Sequence, residues 1–472
     1  MLSIASLADA RLRRGVALGI LLLLCAAARA SEDSTPVPLI AAERFALANG
    51  MRFVVVERPR AVTVSAGWLV ATGTAHDPPG RTGMAHALEH LLFQGTGTIR
   101  PGELATLYAR AGATGLNATT RRDFTAFFVS LPAEALELWF WLESDRLLDA
   151  RFRDLGPERA AILEERQLRV EASPTGRLEE AASTAFWGDH PYGRPNSGRP
   201  EELRQLTLDE LRSHFERHYR PANLVAVLVG PLTAADVRPL AELYFGRLEP
   251  ADRASAAAEP AEAIVAEDPV TDVGDVPPAS ATATPLVGHC DCRPQIQLSY
   301  PAPAFADSDA VAAELLVALL NGRSGRLHRN LVLERGAVFA AYARHTRLRH
   351  AGRLTLIAEA RRGGSPEALA ALLEVELDRL RREPVGSFEL DKAKNRLAAN
   401  TLRRLEEPSE LMLELLFHHG LGRGDLLDSW AAQLEAISAA EVQRLAERLF
   451  RPERRTTALF LRRGTGTEDA PP

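Results

Sequence analysis

Lysine is almost missing from this chain. Only Lys392 and Lys394 occur among 472 residues, so arginine carries nearly all of the positive charge. We attribute this to a genomic bias rather than to chemistry. The net charge of −6 argues against a general affinity for nucleic acid. The balance of 46% hydrophobic and 25% charged residues is typical of a soluble globular protein, and the length allows two to four domains.

Cysteine is also scarce, which excludes a disulfide framework. Beyond Cys25 in the apolar N-terminus, the chain has only Cys290 and Cys292, in "GHCDCRP". These two could bind metal together with His289, pair with each other, or have no special role. We expect no catalytic role for them.

The mature chain has no apolar run long enough to cross a membrane, and the N-terminus resembles a secretory signal peptide. Three arginines within residues 11–14 precede the short apolar run "GVALGILLLLCAAA", and Ala28 to Ala30 offer a cleavage site before Ser31. We expect residues 1–30 to be a signal peptide and the protein to be periplasmic or secreted by a bacterium. An uncleaved anchor is the alternative, although the run is short for a span.

The chain contains an internal repeat. "LTLDELRSHFERHYRPANLVAVLV" from Leu206 aligns without a gap with "ISAAEVQRLAERLFRPERRTTALF" from Ile437. Each copy predicts an amphipathic helix, a proline turn and an apolar strand. One repeat of about 231 residues is too long for a solenoid unit. It therefore indicates two homologous domains.

Composition marks the boundary between these domains. Residues 251–285 are rich in Ala, Pro, Asp and Glu, which predicts a flexible acidic linker. We expect an N-terminal domain over 31–250, a C-terminal domain over 286–465 and a disordered tail over 466–472. Strands such as "MRFVVVE" and "NLVAVLVG" alternate with helices in each half. The pattern predicts an α+β fold of sheet-plus-helix sandwiches with largely antiparallel sheets.

The stretch "GMAHALEHLLFQGT" contains the candidate metal-binding and catalytic residues. In a helix, His86 and His90 lie one turn apart on one face and could bind one ion. Glu89 is displaced from that pair but close enough to act as the general base for a metal-bound water. H-x-x-E-H is also a recognised zinc-peptidase order. A buried helix with two hydrogen-bonded histidines remains the alternative.

A catalytic zinc needs a third protein ligand and one open position. "GPERAAILEERQLRVEASP" predicts a helix in which Glu158 and Glu165 are two turns apart on one face. One of them could complete the site while the other supports it. Alternatively, the glutamates of this segment belong to a solvated face.

The two motifs together resemble the M16 metallopeptidases, the family of pitrilysin and the mitochondrial processing peptidase. "GLNATTRRDFTAFF", "DHPYGRPNSG", "HYRPANLVAVLVG" and "LNGRSGRLHRNLVLERG" match further family segments in order, over nearly the whole mature chain. The length is that of the M16B group. The resemblance implies two similar LuxS/M16-like α+β domains that face each other around a chamber.

The resemblance also assigns roles and one zinc ion per chain. His86, His90 and Glu165 match the metal ligands, Glu158 the supporting glutamate and Glu89 the general base. Asn117 and Ala118 match an edge strand that pairs with extended substrate. The implied activity is that of a zinc endopeptidase acting on unfolded or short polypeptides. The alternative is a non-catalytic M16-like scaffold or assembly subunit.

The second half departs from the family in one place. Active members usually present an Arg and a Tyr, seven residues apart, that hold the substrate carbonyl and stabilise the oxyanion. Here the matching positions hold Val332 and Phe339, neither of which can donate a hydrogen bond. Arg335 and Tyr342 could be a shifted pair, but a three-residue shift along a strand reverses the face. We therefore expect a second M16-like subunit to supply the pair.

Overall fold

A computed structural model describes residues 39–249, 284–361 and 364–463, and its compact unit begins at Ile40. The predicted signal peptide, residues 251–283 of the predicted linker and the predicted tail lie outside the described residues. No helix in the described ranges is long and apolar enough to cross a membrane.

The first half forms a six-stranded sheet in the order β1-β2-β6-β3-β5-β4. Its strands are β1 (Ala42–Ala46), β2 (Arg52–Glu57), β3 (Thr63–Val70), β4 (Thr114–Thr120), β5 (Thr125–Pro132) and β6 (Leu224–Gly230). All neighbours are antiparallel except β2 and β6. The fully buried run of β6 explains its central place, since both faces of that strand are covered.

Eight helices of the first half lie between and after these strands among the described residues. They are α1 (Met84–Leu91), α2 (Glu103–Arg110), α3 (Leu136–Leu148), α4 (Leu155–Arg166), α5 (Gly176–Trp187), α6 (Pro200–Gln205), α7 (Leu208–His218) and α8 (Ala234–Tyr244). A π-helical turn, Gln167–Glu171, continues α4. The helix predicted around the H-x-x-E-H stretch and the helix predicted around the second motif are both confirmed.

The second half repeats this plan in a five-stranded sheet of order β7-β11-β8-β10-β9. Its strands are β7 (Leu286–Cys290), β8 (Gln295–Ala302), β9 (Val338–Arg347), β10 (Gly352–Ala360) and β11 (Thr456–Arg462). The last strand, β11, pairs in parallel with β7, just as β6 pairs in parallel with β2 in the first sheet. The other pairs of the second sheet are antiparallel. The sequence repeat is thus a repeat of topology, and the predicted α+β fold of two similar halves is confirmed.

The helices of the second half follow the same order. They are α9 (Ala310–Leu320), α10 (Pro366–Arg382), α11 (Ser387–Glu406), α12 (Pro408–Gly420), α13 (Leu426–Ala436) and α14 (Ala439–Leu449), with a π-helical stretch at Leu327–Glu334. The two aligned repeat segments form α7 with β6 and α14 with β11. Both helices begin with a capping box, at Thr207 and at Ser438.

Each half contributes a helix to the sheet of the other half. Helix α12 packs on β3 and β6, and α5 packs on β11. Glycine makes the first contact possible, because a Cβ on Gly67 would lie 2.9 Å from Leu416 Cδ1 and Met412 Sδ. This exchange ties the two halves together on either side of the site described next.

Cys290 and Cys292 form a disulfide, with Cα atoms 5.2 Å apart. The bond lies at the end of β7, where Cys290 is buried beside Ala458 and Phe460. The sequence left open whether the two cysteines bind metal, pair with each other or have no special role, and in the structure they pair.

Candidate metal centre

The N-terminus of α1 is held by a buried carboxylate. Asp77 accepts hydrogen bonds from the backbone amides of Gly83, at 2.8 Å, and Ala85, at 2.9 Å. Both are among the amides that a helix leaves without an internal partner. Gly83 has φ +90°, and a Cβ there would lie 2.6 Å from a methyl carbon of Leu203. The helix that carries both histidines is therefore fixed at its start.

Three candidate ligand side chains converge between α1 and α4. The Nε2 atoms of His86 and His90 each lie 3.6 Å from Oε2 of Glu165. The two imidazoles are adjacent, with ring centroids 4.8 Å apart. Burial, together with the neighbouring His90, lowers the pKa of His86 to about 4. A neutral imidazole keeps the lone pair that a metal ion requires.

The residues present fit a zinc ion. The three donor atoms lie within 4.8 Å of one another, the only such group of three or more among the described residues. Zinc bonds of about 2.0–2.1 Å in a tetrahedron separate the ligand atoms by about 3.3 Å. The 3.6 Å separations approach this value and exceed the usual range for a hydrogen bond. Two nitrogens and one carboxylate oxygen are also a donor set found in zinc peptidases.

Glu158 lies on the other side of the His90 ring. His90 Nδ1 is 3.2 Å from Glu158 Oε2, and because an ionised carboxylate can only accept, this nitrogen carries the hydrogen. The remaining nitrogen, Nε2, lies 3.6 Å from Glu165 Oε2 and keeps the lone pair that a metal ion requires. Gln94 donates to Glu158 Oε1 at 3.2 Å and to the Asp154 carbonyl at 2.9 Å. The supporting glutamate is thus itself held in position.

Glu89 is next to the three candidate ligands but is not one of them. The hydroxyl of Thr120, the last residue of β4, donates to Glu89 Oε2. Burial raises the pKa of the Glu89 carboxyl, and the hydrogen bond from Thr120 opposes that change. The contact occupies one carboxylate oxygen and leaves the other able to accept a proton.

Asn117 and Ala118 lie on β4, at the edge of the first sheet. The Ala118 amide donates to the side chain of Asn117 at 2.8 Å, so it is not used within the sheet. An extended polypeptide could take over this amide as an added strand. The edge leads directly to Thr120 and hence to Glu89.

These side chains line a chamber of about 1470 Å³ that is bounded by both halves. The second half contributes Arg353, Leu413, Leu416 and Phe417. None of Val332, Arg335, Phe339 and Tyr342 is among the lining residues. Phe339 is 51% exposed and lies against the guanidinium of Arg293, at 3.8 Å from ring centroid to Cζ.

Sequence reasoning missed Gln94, Thr120 and Arg169. Gln94 is one turn after His90, and Arg169, which pairs with Glu165 Oε1 at 2.6 Å, is one turn after Glu165. Helical spacing could have indicated Arg169, whereas Gln94 lies beyond the end of α1 and contacts Glu158, 64 residues away. Thr120 is 31 residues from Glu89, and no local pattern connects them.

Two family descriptions match the chain. "Insulinase (Peptidase family M16)" matches residues 52–199, and "Peptidase M16 inactive domain" matches residues 205–397. The first range contains the candidate metal centre. The second contains β7 to β10 of the second sheet.

Similar proteins cover almost the whole chain. The Helicobacter pylori protein named zinc protease PqqE is 26% identical over 430 residues, which span 89% of this chain and 92% of that one. A solved structure of a protease from Helicobacter pylori has a TM-score of 0.81 at 24% identity and covers 90% of this chain and 100% of its own. The first half of the periplasmic protease PqqL from Escherichia coli has a TM-score of 0.71 at 19% identity, covering 91% of this chain and 93% of that one. The structural likenesses show the shared fold.

Proposed function

Because the chain belongs to the M16 family of peptidases, we propose that it is a zinc-dependent endopeptidase that cleaves unfolded or short polypeptides. The observation that carries this proposal is the convergence of His86, His90 and Glu165, with Glu89 beside them and held by Thr120. A scaffold would not need a general base beside an intact ligand set.

His86, His90 and Glu165 would hold one zinc ion per chain. When bound, zinc polarises the scissile carbonyl and lowers the pKa of a water molecule to about 7. Glu89 accepts the proton of the attacking water on the oxygen that Thr120 leaves free. It then gives that proton to the amine of the leaving product.

The edge strand β4 orients the substrate in this account. Asn117 gives up its contact with the Ala118 amide, and the main chain of an extended polypeptide pairs there instead. Pairing through the main chain needs an unfolded segment, since a folded protein has already used those groups. This is why unfolded or short polypeptides are the proposed substrates.

We further propose that the active enzyme is a heterodimer. The second half has Val332 and Phe339 where a carbonyl-binding Arg and an oxyanion-stabilising Tyr would stand. None of the four positions considered for that pair lines the chamber among the described residues. Losing one oxyanion donor typically lowers the rate about 100- to 1000-fold. A second M16-like chain that keeps the pair would remedy the loss.

The proposed location is the bacterial periplasm or the extracellular space. The signal-peptide features of residues 1–30 support it, and the similar protease PqqL is described as periplasmic. N-terminal sequencing of the purified mature protein should begin at or near Ser31. A first residue before the apolar run would contradict this location.

Metal analysis and hydrolysis of a denatured protein test the function together. The protein, purified with any M16-like chain that it assembles with, should contain one zinc for each copy of this chain. A chelator should abolish cleavage, and added zinc, but not magnesium, should restore it. Full cleavage after removal of all the metal would overturn the proposal. Zinc-free protein that shows no cleavage under any condition would favour the scaffold alternative.

A further inference from the structure

Two partly buried arginines of the chamber form no salt bridge with a described carboxylate. Arg122 follows β4 in the first half, and Arg353 lies on β10 in the second half; both line the chamber. The guanidinium of Arg353 lies 5.5 Å from the centroid of the Phe186 ring. Its Nε atom is buried without a hydrogen-bond partner, and no described carboxylate forms a salt bridge with it.

Arg122 is held in place by neutral groups only. Its NH1 donates to the Arg194 carbonyl at 2.8 Å and to Asn196 Oδ1 at 3.3 Å, and its NH2 donates to Ser183 Oγ at 3.2 Å. These contacts fix the direction of the guanidinium without cancelling its charge. A positioned charge of this kind is suited to recognise an anion.

Two other arginines of the same chamber are paired with carboxylates. Arg166 forms a two-pronged pair with Glu180, at 2.7 and 2.9 Å, and Arg169 pairs with Glu165 at 2.6 Å. Arg121, Arg153 and Arg194 also line the chamber without a salt bridge among the described residues, but the first two are exposed and Arg194 donates to the Asp77 carbonyl. Burial, which lowers the pKa of both Arg122 and Arg353 to about 10, sets these two apart from the exposed ones.

The local charge balance supports the same conclusion. Burial lowers the pKa of Arg353 to about 10, and the charges of Arg122 and Arg344 act in the same direction. Glu179 is the nearby counter-charge, yet it already lies 3.9 Å from Arg344. Asp123 and Glu180 act on Arg122, but Asp123 accepts from Tyr192 and Glu180 is paired with Arg166. Both chamber arginines remain charged at neutral pH, and partly buried cations without a salt bridge favour a bound anion.

The position of Arg122 in the chain indicates where Arg122 and Arg353 lie relative to the bond that would be cleaved. Thr120 holds Glu89, and Arg122 follows two residues later, in the turn between β4 and β5 that the Arg121 amide closes by donating to the Phe124 carbonyl. Asn117 and Ala118 lie on the other side of Thr120. A polypeptide that pairs with β4 would thus present a residue to the arginines from beyond the scissile bond.

We propose that Arg122 and Arg353 bind a carboxylate of the polypeptide substrate, on the side of the scissile bond away from the segment that pairs with Asn117 and Ala118. This inference rests on the proposed function, since it names a preference of the same chamber. The carboxylate is that of an Asp or Glu side chain or of the peptide's C-terminus. Both present the same planar group to a guanidinium.

Binding rather than cleavage tests the proposal, so that a failure of catalysis does not obscure the result. Fluorescent peptides are titrated against the Glu89→Gln protein, purified alone and with any M16-like chain that it assembles with. One series moves a single Glu along an otherwise neutral peptide that ends in an amide. A second replaces that Glu by Gln, and a third has no Glu but a free C-terminal carboxylate.

At one position, Glu should bind about 10- to 100-fold more tightly than Gln, the effect of a charge-assisted hydrogen bond. Arg353→Gln should remove this preference, whereas Arg403→Gln, an exposed arginine on α11, should keep it. If only the free C-terminus gives the preference, the source is the terminal carboxylate, and if only the placed Glu does, it is a side chain.

Equal binding of all three peptide series by the unmodified chamber would overturn the proposal, and this comparison needs no arginine variant to fold. An equal loss of all peptides in Arg353→Gln would also overturn it, because Arg353 would then act on the main chain. Hydrolysis by the active protein is measured separately. Acid-selective binding without any hydrolysis would keep this inference and refute the peptidase function.

Discussion

His90 donates a hydrogen bond to Glu158 at 3.2 Å, on the side of the imidazole ring opposite Glu165. The contact fixes which nitrogen carries the hydrogen and so which one faces the proposed metal. Partners of this kind orient a metal ligand and raise its basicity. Glu158 would thus support the proposed zinc through His90 without being one of its ligands.

Replacing Glu158 by Gln should therefore weaken zinc binding about 10- to 100-fold while the fold is retained. Gln can present its amide nitrogen to His90 and so favour the other tautomer. Competition with a chromogenic chelator measures the affinity. Glu164→Gln, an exposed neighbour on the same helix, is the matched control and should bind zinc normally. Equal affinities for the two variants would contradict the orienting role.

The core of the first half depends on a buried ion pair. Glu143 accepts from Trp68 Nε1 at 2.7 Å, Tyr108 hydroxyl at 2.6 Å and Arg146 NH1 at 2.8 Å. Glu143→Ala leaves these donors and the Arg146 charge unpaired. It should lower the free energy of unfolding by about 3–5 kcal/mol.

Urea denaturation measures this loss. Glu137→Ala is the control on the same helix, since Glu137 is exposed and accepts one hydrogen bond from Tyr244. Its cost should be about 1 kcal/mol or less. Similar costs for the two variants would show that the buried network does not stabilise the fold.

The lowered pKa of Glu414, on α12, predicts that the stability of the fold depends on pH. Burial favours its protonated form, but the hydrogen bond from His418 and the charges of Arg347 and Arg404 outweigh burial and lower its pKa to about 2. A carboxyl with a lowered pKa stabilises the fold above its unfolded value, near 4.5. That contribution is lost as the pH falls towards 2.

Glu414→Gln should consequently destabilise the protein at pH 7, and the difference from wild type should shrink as the pH is lowered from 5 to 3. Denaturant midpoints at a series of pH values provide the measurement. Glu410→Gln, exposed on the same helix, should show no comparable trend. A difference for Glu414→Gln that stays constant over this range would be inconsistent with the lowered pKa.

The heterodimer proposal predicts feeble activity for the isolated chain. Without the Arg/Tyr pair it should cleave a denatured protein at least about 100-fold more slowly than the complex with an M16-like partner. The chain is assayed alone and with any such protein encoded beside it. Full activity from the isolated chain, abolished in Tyr342→Phe, would refute the heterodimer and support the shifted pair.

Local periodicity accounts for what could be predicted from sequence. Helical spacing predicts that His86 and His90 share one face of a helix and that Glu158 and Glu165 share one face of another. The duplicated segments predict two similar halves. The contact between Glu89 and Thr120 and the network around Glu143 could not be predicted, because they join segments far apart in the chain. The exchange of α5 and α12 between the sheets has the same cause: an amphipathic helix does not specify which sheet it will cover.

The central claim is that Glu89 moves a proton beside a zinc ion held by His86, His90 and Glu165. The most direct test measures zinc content and peptide hydrolysis on the same samples of wild type and Glu89→Gln, each purified with any M16-like chain that it assembles with. The account predicts equal zinc in both and hydrolysis slower by at least about 100- to 10,000-fold in the variant. Hydrolysis by Glu89→Gln at the wild-type rate, with zinc bound, would contradict it.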